Sequence, residues 1–373
     1  MIIAIEAQRI FRKNKHGMDF VALETIKEIQ HIDKTNEYYI FVKPGEDRCL
    51  ENSPNFHIVE LKCPSYPLWE QIALPLAVKK IHADLLHCTS NTAPIFCSVP
   101  LIVTLHDIIF LEKRQNANKS IYQNMGWYYR KLVVPIILKK CKKIITVSNY
   151  EKEHIIDTLK LNKESICAIY NGYNNHFKQL DNINNVIHKY IKEDNFLFFL
   201  GNTDPKKNVP RTLKAYSLYL KKSKIKLPLI IADIKEDILY SILKEQNIEE
   251  IGPKISIPGY ILNTDLPYIY NGAFAFIYTS LRESFGIPIL EAMACGTPII
   301  TSNTSAMPEI AGKDGILVDP FDANSIADKI LELEEDKNYY EEQKNYGLNR
   351  VKEFSWNTTS IKLLEIYKHF KKD

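Results

Sequence analysis

Short apolar segments alternate with helical patterns along nearly the whole chain, and this alternation constrains the fold more than any other feature. Segments such as YYIFV at 38–42 and FLFFL at 196–200 are rich in β-branched and aromatic residues, which favour strands. Because a helical pattern fills each gap, successive strands should form βαβ units and hence parallel sheets. The sequence therefore predicts an α/β protein with strands at 1–5, 38–42, 56–60, 84–88, 101–105, 143–147, 166–169, 196–200, 228–232, 254–257, 273–278, 298–301 and 315–318.

The chain has 373 residues, which is too long for one ordinary hydrophobic core and fits two domains of common size. Asparagine crowds the segment 171–185, and its side chain competes with regular structure by bonding nearby backbone groups. We therefore predict an N-terminal domain at 1–180 and a C-terminal domain at 181–356. The helical pattern at 357–373 predicts a last helix that packs back on the first domain.

Composition argues against several classes of protein. Hydrophobic residues make up 45% of the chain and charged residues 25%, and no apolar run approaches the ~18 residues that a membrane span needs. The opening residues, MIIAIEAQRI, lack a basic leader and indicate a buried strand, so we expect a cytoplasmic protein. Seven cysteines are scattered without a CxxC pair or a His/Cys ligand spacing, which favours reduced thiols over a zinc site.

Charge gives a weaker constraint on partners. The formal net charge of +3 is too small to predict a nucleic-acid partner. Two basic clusters, KKCKK at 139–143 and KKSKIK at 221–226, are expected to be solvated helix faces. The alternative is a weak electrostatic hold on anionic lipid, which would place the protein at the inner face of the plasma membrane.

The stretch RESFGIPILE at 282–291 places two carboxylates on either side of an apolar segment. Pro288 is suited to the first turn of a helix, so Glu283 should lie in the loop before that helix and Glu291 about one turn inside it. Amides at a helix N-terminus bind anions. Hydroxyl-binding acids on both sides of an anion site suit a nucleotide sugar, whose phosphates would meet the amides of Phe285, Gly286 and Ile287.

Polar residues and glycines follow several of the predicted strands, at the edge where parallel α/β sheets bind ligands. His106 follows LIVTL, Gly201 and NTDPKKN follow FLFFL, and TSLRESFG follows AFAFIY. We expect two such edges to face each other across a cleft, with a donor on one wall and an acceptor on the other. A buried core histidine remains the alternative for His106.

These residues resemble a known family. The E-x7-E pattern of Glu283 and Glu291 is similar to that of retaining nucleotide-sugar glycosyltransferases of family four, and FLGNTDPKKNVPRTLKAY at 199–216 resembles their phosphate loop. TLHDIIF at 104–110, TVSNYEK at 146–152 and MPEIAGKDGILVDPFD at 307–322 fall where the family keeps further landmarks. The resemblance covers essentially the whole chain. It implies the GT-B fold: two Rossmann-like domains whose parallel sheets face each other across a cleft.

The resemblance also implies roles for individual residues. Glu283 would hold hydroxyls of the transferred sugar, and Glu291 would accept hydrogen bonds from the ribose, with both carboxylates ionised. Lys207 and the helix amides would carry the diphosphate without a metal ion, since no convincing Asp-x-Asp motif is present. The remaining implied contacts are Tyr260 and Ile261 at the base, Gly17 in a loop near the phosphates and His106 near the reacting sugar.

Three positions depart from the family pattern. The resemblance places Asn202 and Lys206 in the donor site, where Asn202 stands in place of a common arginine and Lys206 is expected to compensate. Asp233 replaces a usual glycine, and the paired glycines near the N-terminus are reduced to Gly17. Two of these residues have alternative interpretations. Lys207 could be a solvated loop lysine, and Gly17 could be required only for a turn.

The leading functional hypothesis is a retaining, metal-independent glycosyltransferase that needs no cofactor. It would move a hexose, with mannose from GDP-mannose as the first candidate, from a GDP- or UDP-sugar to a saccharide or lipid-linked saccharide in surface polysaccharide biosynthesis. The alternatives are a GT-B nucleotide-sugar epimerase, a phosphorylase, for which no pyridoxal phosphate motif is evident, and a non-catalytic two-domain sugar-binding protein.

Overall fold

The computed structural model describes residues 1–111 and 121–371, except for the side chains of 121–123. The described residues form thirteen strands, each within two residues of a predicted strand, so the predicted strand pattern is confirmed. The strands are β1 Ile2–Glu6, β2 Glu37–Val42, β3 Phe56–Glu60, β4 Leu85–Cys88, β5 Leu101–Thr104, β6 Lys143–Thr146, β7 Ile166–Ala168, β8 Phe196–Leu200, β9 Leu229–Ala232, β10 Ile255–Gly259, β11 Ala273–Tyr278, β12 Ile299–Ser302 and β13 Ile316–Val318.

Helices separate most of these strands, as βαβ units require. They are α1 Gly17–Ile32, α2 Tyr66–Leu68, α3 Leu74–Lys80, α4 Ile121–Leu138, α5 Asn149–Leu159, α6 Asn184–Ile187, α7 Val209–Lys222, α8 Glu236–Glu245, α9 Leu266–Gly272, α10 Ile287–Ala294, α11 Met307–Ala311, α12 Ala323–Glu335, α13 Lys337–Arg350 and α14 Trp356–Lys368. A π-helical turn, Trp69–Ala73, joins α2 to α3. Within the described ranges, no helix is both long enough and apolar enough to cross a bilayer.

The chain divides into two compact units. Unit 1 consists of residues 1–171 and 355–373, and unit 2 of residues 172–354. The division falls before the predicted boundary at 180 and 181, because the asparagine-rich segment packs on unit 2. Its Leu180 amide donates to the Asn271 side chain, and Asn271 donates to the Lys178 carbonyl.

Unit 1 contains a seven-stranded sheet in the order β3-β2-β1-β4-β5-β6-β7, and all of its strand pairs are parallel. In register, Ile5 of β1 lies between Ile40 of β2 and His87 of β4. The strands are apolar on both faces because helices cover both sides of the sheet, as expected for a parallel sheet.

Helix α14 packs on the α1 side of unit 1. Its Tyr367 is buried, and the Tyr367 hydroxyl lies 2.7 Å from Nδ1 of His87. The hydroxyl of Thr359 donates to the Tyr170 carbonyl at 2.6 Å. Buried hydrogen bonds of this kind fix the position of a helix that apolar packing alone would leave free to slide.

Unit 2 contains a six-stranded parallel sheet in the order β10-β9-β8-β11-β12-β13. Helix α7 shows why the sequence folds this way locally: its buried residues recur every three or four positions and pack on the sheet. Leu213 on that face is completely buried, a position at which truncation to alanine typically costs about 2 to 5 kcal/mol. Two parallel α/β units confirm the predicted fold class.

Candidate active site

The strand order of unit 2 places two loops side by side. The order of connection reverses between β8 and β11, and parallel α/β sheets bind ligands beyond the carboxyl ends of strands at such a point. The loop after β8 and the loop after β11 are joined there by a hydrogen bond from the Leu281 amide to the Lys206 carbonyl at 2.7 Å. The predicted phosphate loop and the RESFGIPILE segment therefore meet at this edge.

Lys207 and Glu283 form an ion pair across these loops. Lys207 Nζ lies 2.8 Å from Glu283 Oε1, and the two side chains are only 16% and 14% exposed. The Glu283 amide donates to the Ser305 hydroxyl at 3.0 Å, which fixes the backbone that carries the carboxylate. The solvated-lysine alternative for Lys207 does not describe this partly buried, paired side chain.

The charge state of Glu283 is set by two opposing effects. Burial disfavours the charged carboxylate, but the positive charges of Lys207 and Lys206 and a hydrogen bond from Lys207 outweigh it. The pKa of Glu283 is therefore lowered from its ordinary value, and the carboxylate is ionised at neutral pH.

Helix α10 begins at Ile287, as predicted from Pro288, and ends at Ala294, with Gly286 as its N-cap. Gly286 has φ +104°, a conformation that L side chains rarely adopt. Because Gly286 has no side chain, no side-chain oxygen caps the first turn of α10. The amides of this turn are consequently suited to an anionic ligand.

Glu291 lies about one turn into α10, where Tyr270 donates a hydrogen bond to its Oε2 at 3.3 Å. Burial raises the pKa of Glu291 to about 7, although the Tyr270 hydrogen bond acts in the opposite direction. The expectation that both glutamates are ionised is therefore wrong for Glu291, which titrates near neutral pH. The physical reason is that burial dominates, since in the described part of the chain no ion pair with a cation accompanies Glu291 as Lys207 accompanies Glu283.

Aromatic rings connect the surroundings of the two glutamates, and the sequence analysis missed them. Lys207 Nζ lies 5.0 Å from the ring centroid of Tyr278 and 3.4 Å from its hydroxyl. The Tyr278 ring stacks on Phe276, and Phe276 meets Tyr270 edge to face. A usable signal was present, because Tyr278 ends the strand directly before the E-x7-E segment and Tyr270 lies in α9, the short helix directly before that strand.

The phosphate loop is held by its own side chains. Asn202, predicted to bind donor, accepts a hydrogen bond from the Asp204 amide at 2.9 Å, and Asp204 in turn accepts one from the Lys206 amide at 3.1 Å. These bonds shape the 3₁₀ turn Pro205–Lys207. The side-chain oxygen of Asn202 therefore accepts a hydrogen bond within the turn. The turn places Lys206 and Lys207 next to the neighbouring loop.

Asn208 is a site residue that the sequence analysis did not name. It is buried, has φ +59°, and its side-chain amide donates to the carbonyls of Thr279 and Pro320 at 3.0 and 2.7 Å. This single side chain ties the phosphate loop to the end of β11. Its place after the two lysines in DPKKN was the available signal.

The backbone conformation of Asp233 shows how an aspartate can occupy a position where the family pattern has glycine. It has φ +63°, so it adopts a left-handed backbone conformation that glycine also favours. Aspartate tolerates this conformation better than most residues do. Burial raises the pKa of the Asp233 carboxyl, whereas the nearby charge of Lys207 lowers it. The replacement thus preserves the backbone path and adds an acid near Lys207.

The other residues predicted to bind donor in unit 2 differ in what they can offer. Tyr260 is 66% exposed just after β10, whereas the side chains of Ile261 and Phe285 are buried. The ring of Phe285 packs edge to face against Phe354. Ile261 and Phe285 can therefore contribute main-chain atoms only, and Tyr260 lies at the edge strand, two strands from β8, or roughly 10 Å across the sheet.

Gly17 and His106 belong to unit 1, so they are not part of this cluster in unit 2. Gly17 begins α1, and an added Cβ there would meet no atom within 4 Å. His106 is buried, its Nε2 donates to the Thr89 carbonyl at 2.9 Å, and burial lowers its pKa. The ring is therefore neutral, and its Nδ1 is the acceptor nitrogen.

Among the residues that the structure describes, no group of three or more His, Cys, Asp or Glu side chains is arranged to hold a metal ion.

Two family models match the chain in succession. The model described as Glycosyltransferase Family 4 matches residues 23–177, and the model described as Glycosyl transferases group 1 matches residues 182–350. The chain belongs to the group 1 glycosyltransferases of family 4 type. The second match contains the whole Lys207–Glu283–Glu291 cluster.

Similar proteins include two that are named O-antigen chain mannosyltransferases. The chain is 30% identical over 237 residues to O-antigen chain mannosyltransferase B of Escherichia coli, covering 62% of this chain and 61% of that protein. It is 28% identical over 270 residues to O-antigen chain mannosyltransferase RfbU of Salmonella typhimurium, covering 72% and 70% respectively. The chain spans 38% of the longer serotype-specific mannosyltransferase WbdA of Escherichia coli, to which it is 24% identical over 313 residues that make up 79% of this chain.

Solved structures share the fold. Sucrose-phosphate synthase from Thermosynechococcus elongatus superposes with a TM-score of 0.75 at 18% identity, covering 99% of this chain and 98% of that one. The Anabaena protein HepE, solved in complex with UDP-glucose, gives 0.71 at 17% identity, covering 99% and 100%. With two parallel α/β units of the Rossmann-like kind, the chain has the GT-B fold.

Proposed function

We propose that this protein transfers a hexose, with retention of configuration, from a nucleoside-diphosphate sugar to a saccharide or lipid-linked saccharide of a surface polysaccharide. One observation carries the proposal: the ion pair of Lys207 and Glu283 lies where the phosphate loop meets the loop that leads into α10. A lysine and a helix N-terminus provide positive charge for a diphosphate, and a carboxylate beside them can accept hydrogen bonds from sugar hydroxyls.

Each group has a role in the transfer. The bond between the anomeric carbon and the diphosphate oxygen breaks, and its electron pair stays on that oxygen. Lys207 and the first-turn amides of α10 stabilise the resulting charge. The acceptor oxygen bonds to the same face of the anomeric carbon, and its proton passes to the departing phosphate oxygen. Loss of one such charge-stabilising donor typically costs on the order of 10²- to 10³-fold in rate.

Positive charge from the protein also leads us to propose that no divalent metal or other cofactor is needed. Lys207 is already held in place by Glu283 and by the Tyr278 ring. It can therefore meet the diphosphate without a large rearrangement. Treatment with a chelator should leave the transfer rate unchanged, and a loss of activity that Mn²⁺ or Mg²⁺ restores would contradict this part of the proposal.

Mannose is the proposed sugar because the relatives in O-antigen synthesis are named mannosyltransferases. GDP-mannose is accordingly the first donor to test, and UDP-sugars follow because HepE was solved with UDP-glucose. A lipid-linked acceptor would place the enzyme in the cytoplasm, at the inner face of the plasma membrane.

The test is transfer and hydrolysis measured with a panel of GDP- and UDP-sugars. Glu283→Gln and Lys207→Ala should each lower turnover at least about tenfold. Lys222→Ala is the matched control, because Lys222 forms an exposed ion pair with Asp328 in the same unit. Near wild-type turnover in both site variants would refute the assignment. Conversion of the donor to an isomeric nucleotide sugar in the absence of acceptor would indicate an epimerase. Binding of a free sugar in the absence of nucleotide would indicate a non-catalytic sugar-binding protein.

A further inference from the structure

A second surface, outside the candidate active site, exposes many large apolar side chains. Of the sixteen large apolar side chains that are markedly exposed in the described residues, eight lie in one layer of unit 1. That layer is formed by the segment α2–α3, helix α4 and the loop around Phe96. Scattered exposed apolar residues need no explanation, but a contiguous group of them marks an interaction surface.

The segment α2–α3 contributes three of the eight. Leu68, Ile72 and Leu76 are 43%, 52% and 63% exposed and recur every fourth residue, so they form one stripe. The opposite side of the same segment is buried, because Trp69 and Val78 pack in the core beneath the sheet. The stripe therefore points away from the sheet.

Helix α4 contributes a second stripe. Its exposed residues Met125, Tyr128, Leu132 and Ile136 are spaced by three or four positions and share one helix face. Val134 and the other buried residues of α4 pack in the same core as the α2–α3 segment. Both helical segments thus cover one face of the sheet and expose an apolar stripe on their outer side.

Hydrogen bonds show that the two stripes belong to one surface. The side chain of Gln71 contacts the Tyr129 hydroxyl of α4 at 2.8 Å, and it also bonds to the backbone of Ala93 and Ile95. Phe96, which is 78% exposed, follows directly, and Lys140 lies 4.5 Å from its ring centroid. A single polar side chain thus joins α2–α3, the Phe96 loop and α4.

Lysines border this surface at one edge. Residues 121–143 contain six basic residues and no acidic one, and α3 ends with Lys79 and Lys80. Helix α3 leads into β4 and α4 into β6, and β4 and β6 are parallel members of one sheet. The C-terminal ends of both helices, with their lysines, therefore lie at the same edge. We call this surface, with its two stripes and lysine edge, the lysine-edged face.

We propose that the lysine-edged face docks on the surface of an anionic lipid bilayer. Apolar side chains flanked by lysines bind the boundary between headgroups and acyl chains, with the lysines attracted to acidic headgroups. Trp127 lies on the same helix beneath Lys131, whose Nζ is 4.6 Å from the ring centroid, and tryptophan favours that boundary. This inference concerns a surface and does not depend on the proposed transfer reaction, so it is tested without donor or acceptor.

The experiment is vesicle flotation of the full-length protein. Vesicles of phosphatidylcholine with about one third phosphatidylglycerol should bind it, and vesicles of phosphatidylcholine alone should bind it at least about tenfold more weakly. Binding to the anionic vesicles should fall as salt rises from about 0.05 to about 0.5 M, because salt screens the lysine charges. Absence of binding to anionic vesicles at low salt would overturn the proposal.

Variants locate the contact. The double variant Leu76→Ser and Leu132→Ser should weaken binding at least about tenfold, because it removes one apolar anchor from each stripe. Lys139→Ala with Lys142→Ala should weaken binding and reduce its salt dependence. Ile225→Ser is the matched control, since Ile225 is 61% exposed but lies in unit 2, and it should bind as wild type does.

Two results would refute this location. Equal loss of binding in the Ile225→Ser control and the stripe variant would show that the contact is elsewhere or unspecific. A wild-type dimer in light scattering that the Leu76→Ser and Leu132→Ser variant dissociates, without any effect on vesicle binding, would make the lysine-edged face an interface between copies. All the substituted side chains are exposed, so circular dichroism should show unchanged folding.

Discussion

Replacing Lys207 by methionine tests the electrostatics of the site independently of catalysis. In the wild type, Lys207 offsets the burial of Glu283, and the pair is only 16% and 14% exposed. Removing one partner of a buried pair costs about 3 to 5 kcal/mol. Because both side chains retain some exposure and Lys206 remains nearby, we expect Lys207→Met to destabilise unit 2 by about 2 to 3 kcal/mol at pH 7.

The effect should depend on pH with a definite sign. The wild-type pKa of Glu283 is lowered below 4.5, so this carboxylate stabilises the fold above that pH and its contribution is lost as the pH falls through the lowered value. In Lys207→Met, burial would raise the pKa of Glu283, and stability would instead decrease as the pH rises past about 4.5. The difference between the two proteins should therefore grow from pH 4 to pH 7.

The assay must report on unit 2. All three tryptophans, Trp69, Trp127 and Trp356, lie in unit 1, so tryptophan fluorescence is unsuitable. Hydrogen exchange of amides in β8 and β11 measures the required free energy of opening. Lys222→Met removes an exposed ion pair of unit 2 and should cost less than about 0.5 kcal/mol. A similar, pH-independent loss in both variants would refute the reasoning.

Three further outcomes are expected. Glu291→Gln should gain about 2 to 3 kcal/mol of stability relative to wild type between pH 5 and pH 8 in the same exchange assay, because the wild-type fold loses stability as a buried carboxyl with pKa about 7 ionises; a constant difference would exclude this. Asn208→Ala should destabilise unit 2 by about 2 to 4 kcal/mol, because it removes two buried hydrogen bonds and places alanine at a positive φ. Asn208→Gly should lose the same hydrogen bonds but cost less, because glycine adopts a positive φ without strain. Tyr367→Phe should cost about 1 to 2 kcal/mol in unit 1, measured by tryptophan fluorescence in urea, because Nδ1 of buried His87 loses its partner.

Periodicity was sufficient to predict the strands, because a parallel strand buried on both faces must be apolar along its whole length. FLFFL and AFAFIY are unambiguous in this respect. The start of α10 was also predictable, since Gly286 and Pro288 act on the local backbone alone.

Protonation and pairing were not predictable in the same way. Lys207 and Glu283 are 76 positions apart, and their pairing follows from the adjacency of β8 and β11, which no local pattern specifies. The pKa of Glu291 depends on its enclosure and on Tyr270, 21 positions away. Asn202 was assigned to the donor from the family pattern, but its bond to the Asp204 amide became visible only with the folded turn.

The return of α14 to unit 1 has a practical consequence for dissecting the molecule. Residues 172–354 form a continuous insertion in unit 1, and both ends of the insertion continue into unit 1. Unit 2 can therefore be expressed from one uninterrupted gene fragment. Unit 1 cannot, because its last helix is encoded after the insertion. An engineered bridge from Asn171 to Ser355 would be needed to make it. A single protease cut at the first junction would give residues 1–171 and 172–373, so unit 2 would remain covalently attached only to α14.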